Sequence, residues 1–178
     1  MINYSCSYLV PPMRRLDLRH YARELRKILG IKGAYFPIIV LLEILYPLIG
    51  VMYDIVEDKE WNMKYDKDSH AQYILGDKCI YVKESVYNGA CNNQGRDRFT
   101  IAHEIGHALL LDDKTIKFCR SARKVDMELW KNPEWQADCF AGELLVPYDY
   151  CKNMSVFDIV QNCKVSIDAA SYQKQKFN

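Results

Sequence analysis

Between Arg14 and Gly30 apolar side chains return every three or four positions, at Leu18, Tyr21, Ala22, Leu25, Ile28 and Leu29. Arg14, Arg15, Arg19, Arg23, Arg26 and Lys27 fill the places between them. That period predicts an amphipathic helix with a basic, solvated outer face, stopped by Gly30. A second helix is expected to begin at Pro37, with Ile38, Leu41, Leu42 and Leu45 inward and Glu43 outward. The pattern then shortens. Gly50 to Val56, Ala71 to Leu75 and Cys79 to Lys83 read as strands of a small antiparallel sheet, with Gly76-Asp77 as a turn. The polar run Asn88 to Asp97 reads as a loop, with Asp97 as the cap of the next helix.

Helical patterning returns at Phe99-Thr100-Ile101-Ala102 and continues through Ala108-Leu109-Leu110-Leu111. Between these flanks lies His103-Glu104-Ile105-Gly106-His107, an H-E-x-x-H sequence. Two histidines four residues apart project from one helical face and can hold one Zn²⁺, with Glu104 beside them as general base. The competing reading is a surface helix with two unrelated histidines. The apolar flanks argue against it, because buried titratable groups need a partner and a metal is one.

A catalytic zinc takes three protein ligands and leaves one position open. His20 lies in the basic helix and His70 after a polar run, so both read as solvated. Asp113 falls six residues after His107, but Leu110 stands where a turn-making glycine would be needed, so Asp113 reads as following the helix end. Glu134 is the better candidate. Ala137, Phe140, Ala141, Leu144 and Leu145 form an apolar stripe, Pro133 suits a first helical turn and Pro147 marks the end. Glu134 and Asp138 then share a face, so the glutamate can ligate while the aspartate takes a hydrogen bond from the free nitrogen of a liganding histidine. The small Ala137, Ala141 and Gly142 permit close approach to the His103 helix. Taken alone, the two acids would be read as facing water.

The stretch Arg98 to Leu110, with Glu134-x-x-Ala137-Asp138-x-Phe140-Ala141-x-x-Leu144-Leu145-Val146-Pro147, resembles the ImmA/IrrE family of zinc metallopeptidases. The resemblance runs over most of the chain. It implies an α+β fold with a zincin-like, gluzincin-like core: a small antiparallel sheet, an active-site helix bearing H-E-x-x-H, and a second ligand helix, flanked by N- and C-terminal helices. It also implies Zn²⁺ on His103, His107 and Glu134, catalysis by Glu104, and a helix-turn-helix transcriptional repressor as the protein substrate. The family commonly carries Asn where this chain has Asp138. Zinc so held lowers the pKa of bound water to about 7, and Glu104 would relay its proton to the leaving amine. An oxyanion donor is expected, with thirteen tyrosines, Arg96 and Arg98 all eligible.

Length and composition suit one metallopeptidase domain over 1–178: helices in 13–50, a catalytic core in 51–150 and terminal helices in 151–178. The chain is 49% hydrophobic and 26% charged, with a net charge of only +1 that disfavours direct nucleic-acid binding. The apolar Ala34 to Gly50 contains Glu43, Pro37 and Pro47 and is too short to span a bilayer, so no membrane role is expected. Seven cysteines without a C-x-x-C pair, and a start lacking a secretory pattern, point to the cytoplasm. The connection Asp112 to Asn132 is a candidate lid, or equally a packed connector. Ser155-Val156-Phe157-Asp158 and Ser166-Ile167-Asp168 open two short helices, which resemble a helix-turn-helix but are expected to pack on the core. Three functions remain open: a peptidase, a metal-containing module that sequesters a regulator, and a DNA-binding regulator.

Overall fold

The computed structural model describes residues 8–66, 68–111, 117–118 and 129–177. Most of the candidate lid therefore lies outside the described residues, as does Asp113. Helix α1 (Arg15–Ile28) and α2 (Ile38–Ile49) follow a two-residue strand, β1 (Tyr8–Leu9). Next come β2 (Met52–Val56), α3 (Asp58–Lys64), β3 (Ala71–Ile74) and β4 (Cys79–Lys83). Then follow α4 (Glu84–Cys91), α5 (Gly95–Leu110), and β5 (Lys117–Phe118), which pairs antiparallel with β1. A 3₁₀ turn at Leu129–Lys131 leads into α6 (Pro133–Leu145), α7 (Tyr148–Cys151), α8 (Val156–Cys163) and α9 (Ile167–Gln175).

The fold is α+β and rich in helix, with a three-stranded sheet in the order β2-β4-β3. The sheet is mixed rather than wholly antiparallel. β3 and β4 form the expected hairpin, but β2 runs parallel to β4, from Met52 opposite Cys79 to Val56 opposite Lys83. A parallel neighbour requires a crossover, and α3 supplies part of it. That helix was not anticipated; Trp61 buries its indole completely and donates Nε1–H to the Ser69 carbonyl at 3.0 Å. One cluster of buried side chains extends from Leu18 to Ala170, with Leu41, Leu42, Ile80, Ile101, Phe140 and Leu144 among its members.

The basic face of α1 departs from expectation. Arg15 and Arg19 reach the buried Glu143 carboxylate at 3.1 and 2.7 Å. Arg23 pairs with Asp149 at 2.7 Å, and Arg26 is buried. Tyr21 and Ile28, by contrast, lie exposed. The helix therefore binds α6 and α7 through guanidinium groups as well as through Leu18 and Ala22. Arginine suits this use, because its apolar stem packs while its fork reaches a carboxylate.

The expected loop at 88–97 is largely helical: α4 continues to Cys91, and a turn with Asn93 at φ 60° leads straight into α5. Gln94, not Asp97, is the cap, and Asp97 lies in the first turn. Gly95 lets α5 start against the turn between α8 and α9, where any Cβ would fall within 2.4 Å of Val165 and Ser166 backbone atoms. α2 begins where Pro37 implied and continues through Pro47 to a left-handed stop at Gly50. Ser155 and Asp158 form the reciprocal cap of α8, Ser166 caps α9, and both helices pack on the core through Ile159, Cys163 and Ala170.

Candidate metal centre

α5 carries His103, Glu104 and His107, and α6 lies against it. Their contact is close because Gly106 has no side chain. A Cβ there would sit 3.2 Å from the Ala137 Cα and the Phe140 ring. Ala137 is thus on the contact as expected, whereas Gly142 faces Gln173 of α9 instead. At the start of α6, Asn132 Oδ1 accepts the Glu134 and Trp135 N–H groups at 2.9 and 3.2 Å. This cap, with Pro133 in the first turn, fixes Glu134 on the turn nearest the histidines.

The three side chains converge. His103 Nε2 and His107 Nε2 are 2.9 Å apart and lie 3.3 and 3.4 Å from Glu134 Oε2. One donor atom from each lies within 4.8 Å of the others. The Asp138 carboxylate, one turn beyond Glu134, contacts His103 Nδ1 at 2.8 Å. That bond leaves His103 Nε2 directed at the cluster, the arrangement that orients an imidazole for ligation. His20 is exposed and outside the cluster; His70 instead meets Arg96, through Nε2.

Glu104 is buried and held by the sheet. Lys83 N–H donates to the His70 carbonyl, so in the antiparallel ladder the main chain of Ala71 and Tyr73 points away from β4. There the Tyr73 N–H meets Glu104 Oε2 at 2.7 Å. Strand β3 is therefore the sheet edge beside the cluster, a placement the sequence left open. Two other buried polar groups were misjudged or missed in the sequence: Arg98, an eligible oxyanion donor there, and Asn132. Arg98 sits at 1% exposure, giving its N–H groups to Lys164, Phe36 and the Tyr35 hydroxyl, and is a clamp on the fold rather than an oxyanion donor. Asn132 could have been read from Asn-Pro preceding an apolar stripe.

The electrostatics are those of imidazoles and carboxylates packed against one another. Burial disfavours charge on His103, but its hydrogen bonds to Asp138 and Glu134 prevail and raise its pKa to about 10. Burial acts against the Glu134 carboxylate too, and the His103 and His107 bonds overcome it, holding its pKa well below the usual range. Glu104 moves the other way: burial raises its pKa, partly offset by the two histidines and the Tyr73 N–H. Two imidazole nitrogens and one carboxylate oxygen are a fitting donor set for a divalent metal, most commonly zinc.

An H-E-x-x-H helix facing an acidic helix beside a small mixed sheet defines a metallopeptidase-like core. A family model described as the IrrE N-terminal-like domain, peptidase M78, matches residues 56–166, and the chain belongs to that family. No curated protein matches it. Among solved structures, a Mycobacterium tuberculosis transcriptional regulator is similar over 89% of this chain and 46% of its own, at a TM-score of 0.58 and 17% identity. That likeness concerns the fold, and this chain spans less than half the length of that one.

Proposed function

We propose that this protein is a cytoplasmic zinc-dependent endopeptidase that cuts one protein substrate, a helix-turn-helix transcriptional repressor, and so relieves repression. The carrying observation is the convergence of His103, His107 and Glu134 beside a buried glutamate tethered to a sheet edge. Family membership supports the reaction class. The similar solved structure is that of a transcriptional regulator, which supports the regulatory setting. Among the described residues no helix is long and apolar enough to cross a membrane.

In this reading His103, His107 and Glu134 hold the metal, and Asp138 keeps the His103 ring in the ligating orientation. The metal supplies Lewis acidity toward a substrate carbonyl and toward water. Glu104 takes a proton from the attacking water and returns it to the leaving nitrogen. Its burial favours the first of these transfers, because a carboxylate with a raised pKa is the stronger base.

The test is incubation with repressors encoded beside the gene, with and without chelator, for the natural chain and Glu104→Gln. Chelator-sensitive cleavage reduced at least about 10²-fold in the variant is expected. Cleavage that survives Glu104→Gln overturns the mechanism. Repressor capture without cleavage by both proteins would identify a sequestering module instead.

A further inference from the structure

A second polar site lies away from the metal cluster, at the other end of α6. The N-terminal helix and the α6–α7 corner enclose a solvent-open cleft of about 310 Å³. Arg19, Arg23, Arg26, Lys27 and Lys32 line it, against only two carboxylates, Glu143 and Asp149. Both carboxylates are already committed, Glu143 to Arg15 and Arg19 and Asp149 to Arg23. Lys27 is 3.7 Å from Glu24, a loose exposed pair, and Lys32 has no partner among the described residues.

Arg26 is the decisive group. It is 4% exposed, yet its guanidinium has no carboxylate partner: Nη1 donates to the Leu144 carbonyl and Nη2 to those of Gly33, Ala34 and Tyr35. Its Nε–H has no hydrogen-bond partner among the described residues. The other buried arginine, Arg98, engages all three nitrogens. Arg26 is thus a buried positive charge left partly uncompensated on the wall of a cationic cleft, and burial without a counter-anion is costly. An anion in the cleft offsets that cost. Gly30, Ile31 and Pro147 complete the wall with two aromatics: Tyr148, whose ring lies 4.6 Å beneath the Arg19 guanidinium, and the half-exposed Tyr150.

We propose that this cleft binds a small organic phosphate, its phosphate group on Lys27 and Lys32 near the Arg26 charge, and its carbon skeleton against the two tyrosines. The volume lies in the range of small-molecule sites and exceeds what one phosphate fills. The cleft wall includes Glu143 in the last turns of α6, so the ligand lies against the same helix that presents Glu134 at its start.

The test is calorimetry on the full chain with chelator present, so that phosphate on a bound metal contributes nothing. Ribose 5-phosphate and orthophosphate serve as probes at matched ionic strength. Saturable binding of ribose 5-phosphate is expected, at least about tenfold tighter than orthophosphate, and weakened at least about tenfold by Lys27→Ala with Lys32→Ala. Both side chains are exposed, so this double variant leaves the core intact, and Lys64→Ala on α3 is the unaffected control. Absence of saturable binding, equal affinity for orthophosphate, or undiminished binding by the double variant would each overturn the proposal. None of these outcomes depends on peptidase activity.

Discussion

His103 has two ring nitrogens to place, and Asp138 decides between them by taking Nδ1 at 2.8 Å. A neutral Asn oxygen can accept the same Nδ1–H, whereas Ala cannot. Asp138→Ala is therefore expected to weaken metal affinity by about 10–100-fold, and Asp138→Asn by much less, measured by competition with a chromophoric chelator. Equal losses in the two variants would mean that the charge of Asp138, not its hydrogen bond, is what matters. Glu104 and Glu134 are both carboxylates near two imidazoles, yet their environments move them apart. Glu134 accepts from both rings, while Glu104 is buried with one main-chain donor. In the proposed reading, that divergence suits one to ligation and the other to proton transfer.

Between elements, the separation of α5 from α6 sets whether the three donors can meet. Gly106 is a close point of that contact, with Ala137 backbone and the Phe140 ring opposite. Gly106→Ala gains helix propensity but must displace α6 by a few tenths of an ångström. We expect a net loss of about 1–2 kcal/mol in urea unfolding, and weaker metal binding, because Glu134 moves with α6. A variant that is stabilised and binds metal normally would show that the interface has slack. The mixed sheet belongs to this scale as well: with β4 central, β3 is left as the edge that faces α5.

For the whole molecule, the N-terminal helix is secured to the second ligand helix by Glu143, buried between Arg15 and Arg19. Glu143→Ala leaves two guanidinium groups facing each other without an anion and is expected to cost about 3 kcal/mol in chemical denaturation. A loss below about 1 kcal/mol would mean that water replaces the carboxylate freely. Proton and metal compete for His103. In metal-free protein its raised pKa contributes stability that is fully present below its ordinary value of 6.5 and disappears as pH rises through about 10. The melting temperature of chelator-treated protein should therefore fall across that window, and His103→Ala should flatten the fall. Metal uptake at about pH 8 should release about one proton, read from the buffer dependence of the binding heat.

The H-E-x-x-H spacing and the apolar stripe around Pro133 were legible because both are local. A helical period places His103 with His107, and Glu134 with Asp138, whatever the rest of the chain does. The caps at Ser155 and Ser166 and the start of α2 at Pro37 were readable for the same reason. Tertiary packing decided the remainder. Whether an arginine on α1 faces water or Glu143 depends on a residue more than 120 positions away, and periodicity carries no such information. The parallel pairing of β2, the burial of Arg98, the tether from Tyr73 to Glu104 and the cationic cleft around Arg26 likewise join distant segments. Local sequence specified which groups each element presents; the approach of the elements specified which of those groups meet.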